Sequence, residues 1–142
     1  MEDKVFGNLT FRVGWIKDEE IELWKKKYTV RVRTSSKKGD VPTEKQQKSY
    51  MHFKANLCNI SFQTMPMVEK FVMSNKDEIC DSIGLTKIDA PFALVRPKEI
   101  LFFQNGKYAI ICDTVWSDVG MAILYDGDKC TVDESYILEF EY

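Results

Sequence analysis

The chain has 142 residues, of which 44% are apolar and 30% charged, with a net charge of -2 at pH 7. At about 150 residues per domain this is one globular domain, and the composition excludes a disordered or collagen-like chain. No apolar run of the signal-peptide type opens the sequence, and none is long enough to span a bilayer. We therefore expect a single cytoplasmic domain, over residues 1–142, that does not contact a membrane.

The first part of the chain has the residue pattern of strands. Apolar and polar residues alternate over residues 9–15 and again over residues 28–33, which is the period of a half-buried β-strand. In the second segment the side chains of Tyr28, Val30 and Val32 are predicted to face the core. Turn-forming residues at 35–40 then end this region.

A helix is predicted next, beginning after Thr43. Thr43 is a favourable N-cap, and Gln46 stands where a capping box needs a glutamine or glutamate. Apolar residues then recur at three- and four-residue steps, as on one face of a helix. That face contains Tyr50, Phe53, Leu57, Ile60, Thr64, Met67, Val68 and Phe71.

Pro66 interrupts this helical pattern. Because proline cannot donate a backbone hydrogen bond, we expect a break at residues 63–65, with Pro66 opening a second helix. A short further helix is predicted at residues 77–83, stopped by Gly84. The helical region is therefore expected to contain two main helices.

The last part of the chain is predicted to form a β-meander. Asn105-Gly106 and Asp126-Gly127 are strong signals for two-residue hairpin turns. The order of strands, helices and strands predicts an α+β fold, in which an antiparallel sheet of N-terminal and C-terminal strands packs against two central helices. The predicted C-terminal strands are residues 99–103, 107–112, 120–125, 129–132 and 136–140.

The sequence predicts no cofactor and no metal site. The four cysteines, Cys58, Cys80, Cys112 and Cys130, are more than fifteen positions apart, whereas zinc ligands usually occur in closely spaced pairs. We expect them to be reduced thiols packed as small apolar side chains. The acidic run at residues 126–134 lacks the ligand spacing of a calcium loop.

Two functional alternatives rest on particular residues. His52 is the only histidine, and the sequence signals neither a nucleophile nor an orienting carboxylate beside it, so we predict no catalytic residue. A small enzyme with a site assembled around His52 remains one alternative. Nucleic-acid binding through the region from Lys25 to Arg33 is another, because lysines there adjoin Trp24 and Tyr28, although the pI of about 5.5 argues against it.

The acidic end of the chain is the strongest candidate for an interaction surface. Trp116 lies among carboxylates, and tryptophan is frequent at binding hot spots, while acidic rims attract basic partners. A core tryptophan beside solvated acids would explain the same pattern. The candidate partner-binding residues are Asp113, Trp116, Asp118, Asp126, Asp128, Asp133 and Glu134.

The order of several short motifs resembles a family of bacterial domains of unknown function. Its members share a Thr-x-x-Gln helix start, a proline before a strand, and a hairpin with tryptophan, acids and glycine. The matching segments here are Phe6-Gly7-Asn8-Leu9, Gly14-Trp15, Tyr28-Thr29-Val30, Thr43-Glu44-Lys45-Gln46, Tyr50 and Phe53, Arg96-Pro97-Lys98-Glu99-Ile100, Tyr108-Ala109-Ile110, Trp116 to Gly120, and Asp126-Gly127.

This resemblance implies a role rather than a mechanism. Such domains are similar to the immunity proteins of polymorphic-toxin systems, which implies a non-enzymatic inhibitor that occludes the active site of a cognate toxin with a basic surface. The family hairpin often carries a histidine before the glycine and several acids after the tryptophan. Here Val119 and Ser117 stand at those places. The departure favours binding over catalysis.

Overall fold

A computed structural model describes residues 1–139, in which strands precede and follow a helical segment. The strands are β1 (Glu2–Asp3), β2 (Gly7–Asn8), β3 (Thr10–Phe11), β4 (Trp15–Leu23), β5 (Lys26–Thr34), β6 (Val95–Phe102), β7 (Tyr108–Thr114), β8 (Ser117–Asp126) and β9 (Lys129–Glu134). The helices are α1 (Glu44–Ala55), α2 (Leu57–Ser74) and α3 (Lys76–Ile83), with 3₁₀ helices at Pro91–Ala93 and Ser135–Leu138. No helix of this described part is both long and apolar enough to cross a bilayer.

The main sheet contains β3 to β9 in sequence order, and the predicted α+β fold is confirmed. Every neighbouring pair is antiparallel except β5 and β6, which pair in parallel, so the sheet is mixed rather than antiparallel as predicted. The three helices lie between β5 and β6 in the chain. They return the chain to the end of the sheet at which β5 began, which a parallel neighbour requires.

The N-terminal strands differ from the prediction. Residues 9–15 do not form one strand, because a turn with Val13 at φ 52° and Gly14 at φ 110° separates β3 from β4. A Cβ atom at Gly14 would lie 2.1 Å from the Thr34 carbonyl oxygen, so only glycine fits there. Strand β4 was not predicted at all. Its Glu19 faces α1, lying 2.8 Å from Lys54.

Helix α1 begins as predicted. The Thr43 hydroxyl accepts a hydrogen bond from the Gln46 amide at 3.2 Å, and Gln46 Oε1 accepts one from the Thr43 amide at 2.9 Å. Gln46 Nε2 also donates to the carbonyl oxygens of Ser35 and Phe102, each at 3.1 Å. These bonds explain how a glutamine can be fully buried, and they fix the start of α1 against the ends of β5 and β6.

The predicted break at residues 63–65 is wrong. Helix α1 ends at Ala55 and is capped by Asn56, whose Nδ2 donates to the His52 carbonyl at 2.9 Å, and α2 continues through Pro66 without interruption. Pro66 lies on the exposed side of α2, whereas Thr64 and Val68 are buried. Packing of that buried face therefore outweighs the loss of one helical hydrogen bond. Gly84 ends α3 in the left-handed conformation, as predicted.

Both faces of the sheet are covered near its centre. On the helix side, aromatic rings of Phe6, Tyr50, Phe53 and Tyr108 surround Phe102. On the opposite side Leu101, Phe103, Ala109 and Ala122 are buried with Leu138 of the last 3₁₀ helix. The strand predicted at residues 136–140 is therefore wrong over 136–138, and Phe140 lies outside the described residues.

Both predicted C-terminal hairpins form, but their loops differ from the predicted two-residue pairs, Asn105-Gly106 and Asp126-Gly127. In the first, the Phe103 amide donates to the Lys107 carbonyl, so the loop has three residues, 104–106, with Gly106 at φ 92°. In the second, Asp126 pairs with Lys129 and leaves a two-residue loop, Gly127-Asp128. This second hairpin places Asp128 at the tip of the meander.

Candidate functional site

The seven candidate partner-binding residues divide between the two ends of β8. Asp118 and Asp126 lie eight residues apart on this strand, which is about 26 Å at 3.3 Å per residue. We call the group at the start of β8 the acidic end, and the group at its other end the hairpin end. The acidic end comprises Asp113, Val115, Trp116, Asp118, Val119, Asp133, Glu134 and Tyr136, and the hairpin end comprises Asp126, Gly127 and Asp128.

Three chain segments meet at the acidic end because of Gly120. Gly120 has φ 76°, and a Cβ atom there would lie 2.6 Å from the Cys112 carbonyl oxygen and 3.4 Å from Ser135 Oγ. Only glycine allows β7, β8 and the residues after β9 to approach so closely. The tight turn between β7 and β8 is closed by Thr114 Oγ1, which donates to the Ser117 carbonyl at 3.0 Å.

Trp116 is half-buried and belongs in part to the core. Its ring centroid lies 6.4 Å from that of Phe71 on α2. On either side of it, Val115 and Val119 are 55% and 51% exposed. A tryptophan that packs against a helix and has exposed apolar neighbours has the features of a binding hot spot. Isolated acidic side chains do not have these features.

The carboxylates of the acidic end are unevenly paired. Lys98 Nζ lies 2.8 Å from Asp113, so the charge of Asp113 is largely offset. Asp118 and Glu134 form no ion pair within residues 1–139. The negative charge of Asp133 raises the pKa of the exposed Tyr136 phenol above its ordinary value, with a smaller contribution from Glu134. This end of the sheet is therefore negative on balance.

A groove adjoins the acidic end between α2 and β9. It has a volume of about 500 Å³, and Asp133 lies at its rim with Val132. On the α2 side, Phe71 lines the groove and also contacts Trp116, so the groove and the acidic end share a wall. The remaining lining residues are Met67, Lys70, Ser74 and Asn75.

The hairpin end has a different character. Asp126 lies 3.8 Å from Lys107, and both Asp126 and Asp128 are exposed side chains of an ordinary two-residue turn. No exposed large apolar side chain accompanies them within the described residues of this turn. Asp126 and Asp128 therefore do not join the other five predicted residues in one surface.

His52 lies at the hairpin end, where it lines two open pockets of about 330 and 260 Å³ together with Asp128, but its hydrogen-bond partner is a phenol rather than a carboxylate. Its Nδ1 is 3.2 Å from the Tyr108 hydroxyl, and Tyr108 stacks on Tyr125 with ring centroids 5.1 Å apart. The Tyr125 hydroxyl in turn donates to Gln63 Oε1 at 3.0 Å. Burial raises the pKa of both phenols, which disfavours proton transfer by them near neutral pH.

Strand β5 is basic, but its charges are matched by neighbouring strands. Arg33 Nε lies 2.9 Å from Glu99 on β6, and Arg31 stands opposite Asp18 of β4 in the sheet register. Trp24 is buried, so it cannot offer its ring to a base. The region from Lys25 to Arg33 thus forms a surface of mixed sign rather than a positive groove.

The cysteines do not gather into a site. Cys112 is buried, and burial raises the pKa of its thiol, whereas Cys58 is exposed rather than packed as predicted. No group of three or more histidine, cysteine or acidic side chains in residues 1–139 is arranged to hold a metal ion. All four sulfur atoms are free.

Comparison of the chain with protein-family models, with curated proteins and with solved structures found no match. The resemblance to a family of bacterial domains, and the role that it implies, therefore stay predictions.

Sequence reasoning missed three residues of the acidic end. Val115 and Val119 flank Trp116 in the sequence, and two valines among acids were an available signal of an exposed apolar surface. Tyr136 gave no such signal, because its segment has the apolar pattern of a strand and was assigned to one.

Proposed function

We propose that this chain is a non-enzymatic protein-binding domain, and specifically an immunity-type inhibitor that covers the active site of a bacterial toxin. The observation that carries the proposal is the acidic end of β8. There a tryptophan that contacts α2 and two exposed valines occur together with Asp118 and Glu134, which form no ion pair within residues 1–139. Apolar anchors supply affinity at interfaces, and unpaired carboxylates favour a partner of opposite charge.

The partner is expected to have a basic surface. Toxins that act on nucleic acids hold a polyanion in a positive groove, so a cluster of carboxylates can occupy that groove in place of the substrate. Asp118 and Glu134 are suited to this role, because neither is engaged by a cation of its own chain within residues 1–139. The choice of a toxin as the partner rests on the family resemblance.

The test is co-expression of this chain with the product of the neighbouring gene, followed by purification and a binding measurement. The first variant carries Asp118→Lys and Glu134→Lys. The matched control carries Asp126→Lys and Asp128→Lys, which makes the same change of net charge at the hairpin end. We expect the first variant to bind at least about tenfold more weakly and to lose protection from toxicity, with the control within about threefold of wild type.

Two outcomes would contradict the proposal. If no complex forms and no toxicity is relieved by the wild-type chain, the inhibitory role is wrong. If both variants lose affinity equally, the attraction depends on net charge alone, and the acidic end is not the binding surface.

A further inference from the structure

Strand β4 leaves most of one edge of the main sheet open. Its outer neighbour, β3, pairs only with Trp15 and Ile16, so residues 17–23 have no strand on that side within the described part of the chain. On its inner side β4 pairs with β5 from Ile16 to Leu23 without a register shift. An open edge of this kind presents backbone donors and acceptors that an added strand can bind.

The hairpin between β4 and β5 determines which backbone groups face the open edge. Its loop has two residues, both with positive φ (53° and 66°), so the Leu23–Lys26 pair that closes it is hydrogen-bonded. Hydrogen-bonded and non-hydrogen-bonded pairs then alternate along the antiparallel ladder. The N–H and C=O groups of Asp18, Glu20 and Glu22 therefore point away from β5, towards the open edge.

The side chains of the same three residues form an acidic row. Asp18, Glu20 and Glu22 lie on the face of the sheet opposite the α-helices, because side chains alternate along a strand and the intervening Glu19 faces α1. Asp18 and Glu22 form no ion pair within residues 1–139, and Glu20 lies 3.9 Å from Lys27, with both side chains largely exposed. We call these three residues, with their backbone groups, the β4 edge.

An apolar cup adjoins the β4 edge on the helix side. It has a volume of about 360 Å³ and lies between α2 and the β4–β5 hairpin, where Glu22 borders it. Its α2 wall contains Leu57, Met65 and Phe62, and Phe62 is 82% exposed. A strand added at the β4 edge would run past this cup. Its side chains would meet acids on one face and apolar surface on the other.

These two faces specify the sequence of the added strand. Basic residues are needed opposite the acidic row, because opposite charges stabilise a cross-strand pair, and apolar residues are needed at the alternate positions. Strand β5 already has this pattern on the inner side of β4. Arg31 stands opposite Asp18, and Lys27 stands opposite Glu22, while Val30 between them is buried.

We propose that the β4 edge binds an extended segment of a partner protein, in which basic and apolar residues alternate, as an additional strand of the main sheet. A second copy of this chain does not fit, since antiparallel pairing of two β4 edges would place acids opposite acids. Charged side chains commonly keep identical edges apart in this way, whereas a basic strand meets no such barrier. Three strands separate β4 from β8, and the proposal does not depend on the proposed function.

The first experiment measures binding of a capped nine-residue peptide of alternating lysine and valine to the full chain, by fluorescence anisotropy. One strand buries little surface, so we expect a Kd between about 10 and 300 μM. Two control peptides carry N-methyl groups on either the lysine or the valine amides. One of them should bind at least about tenfold more weakly than the other, because a strand directs only alternate amides to its neighbour. Equal binding by the two controls, or no binding of the unmodified peptide at about 1 mM, would overturn the proposal.

The second experiment changes the acidic row. Glu20→Lys with Glu22→Lys should weaken binding of the unmodified peptide by at least about tenfold, because lysines would then face lysines. The matched control, Asp118→Lys with Glu134→Lys, makes the same change of net charge at the acidic end and should stay within about threefold of wild type. If the control loses as much affinity as the β4 variant, the peptide responds to net charge or to the acidic end, and the proposal is wrong.

The third experiment tests the apolar face. Phe62→Ser should weaken binding of the unmodified peptide about three- to tenfold, because an exposed ring beside the β4 edge is lost. Val41→Ser is the control, since Val41 is also exposed, at 63%, and lies outside the cup. Equal affinities of the two variants would show that the added strand needs no apolar residues.

The fourth experiment locates the peptide by amide hydrogen exchange, followed by NMR. In the free protein the amides of Glu20 and Glu22 should exchange faster than those of Ile21 and Leu23, which point to β5. Saturating peptide should slow the exchange of Glu20 and Glu22 by at least about tenfold, because their amides then donate to the added strand. A peptide that binds without slowing these two amides would contradict strand addition.

Discussion

The two ends of β8 carry similar acids in the sequence but differ in the fold. At the acidic end, Gly120 brings three chain segments into contact, and Trp116 packs against Phe71 of α2. At the hairpin end, a Cβ atom added to Gly127 would have no neighbouring atom within 4 Å, and Asp128 extends from an open turn. The first is part of the packed structure, whereas the second is a solvated loop.

This difference shows which feature makes an acidic segment a candidate for binding. Carboxylates in a turn are the ordinary consequence of turn chemistry, because aspartate suits that backbone. Carboxylates beside an anchored tryptophan and exposed valines need another explanation, since the apolar surface there is not required by the turn. The variants below test whether the acidic end is as rigid as its contacts indicate.

The largest expected effect is that of Gly120→Ala. The new Cβ would lie 2.6 Å from the Cys112 carbonyl oxygen at a left-handed φ, so we expect a loss of about 3 kcal/mol in the free energy of unfolding. Gly127→Ala is the matched control, with a left-handed φ of 62° but open space, and should lose only about 1 kcal/mol. Urea denaturation of both variants checks this. Equal losses would show that the three segments are not closely packed at Gly120.

A smaller effect is expected for Trp116→Ala. Removing a half-buried indole that contacts Phe71 should lower the free energy of unfolding by about 2 kcal/mol, less than for a fully buried tryptophan. Asp128→Ala, at the hairpin end, should change it by no more than about 0.5 kcal/mol. Thermal unfolding of both variants gives the comparison. If Trp116→Ala is also without effect, its ring is not held by α2, and the acidic end loses its anchor.

The smallest effect concerns the negative electrostatic potential at the acidic end. Asp133 is the main cause that raises the pKa of Tyr136, so Asp133→Asn should lower that pKa towards its ordinary value. The phenol of the variant would therefore lose its proton at a lower pH than in wild type. Asp126→Asn, at the hairpin end, should leave it unchanged. An NMR titration of Tyr136 measures both, and identical shifts would mean that the negative charge is not local.

Local sequence signals predicted much of the fold. The capping box of Thr43 and Gln46, the helix stop at Gly84 and both C-terminal hairpins depend on residues close together in the chain. The errors concern long-range contacts. Strand β4 was missed because its acidic residues mask the alternation of apolar and polar side chains. The charge of Glu19 is paired with Lys54 of α1, which is distant in the sequence. The parallel pairing of β5 with β6 depends on where three helices return the chain.

The candidate site was predictable only in part. Trp116, Asp118 and Glu134 were identified from composition, and they do lie at one end of the sheet. The separation of Asp126 and Asp128 from them follows from the length of β8, which no local pattern fixes. Tyr136 was assigned to a strand because it has apolar neighbours in the sequence. In the structure this segment is a 3₁₀ helix, and its Leu138 covers the face of the sheet opposite the α-helices.

Pro66 inside α2 has a consequence for the main chain. Proline has no amide hydrogen, so the carbonyl oxygen of Phe62, one turn earlier, lacks the helical donor that any other residue at position 66 would supply. Phe62 and Pro66 are both exposed residues of α2. Any partner that covered the Phe62 ring would therefore have to supply a hydrogen-bond donor to that oxygen or leave it without one.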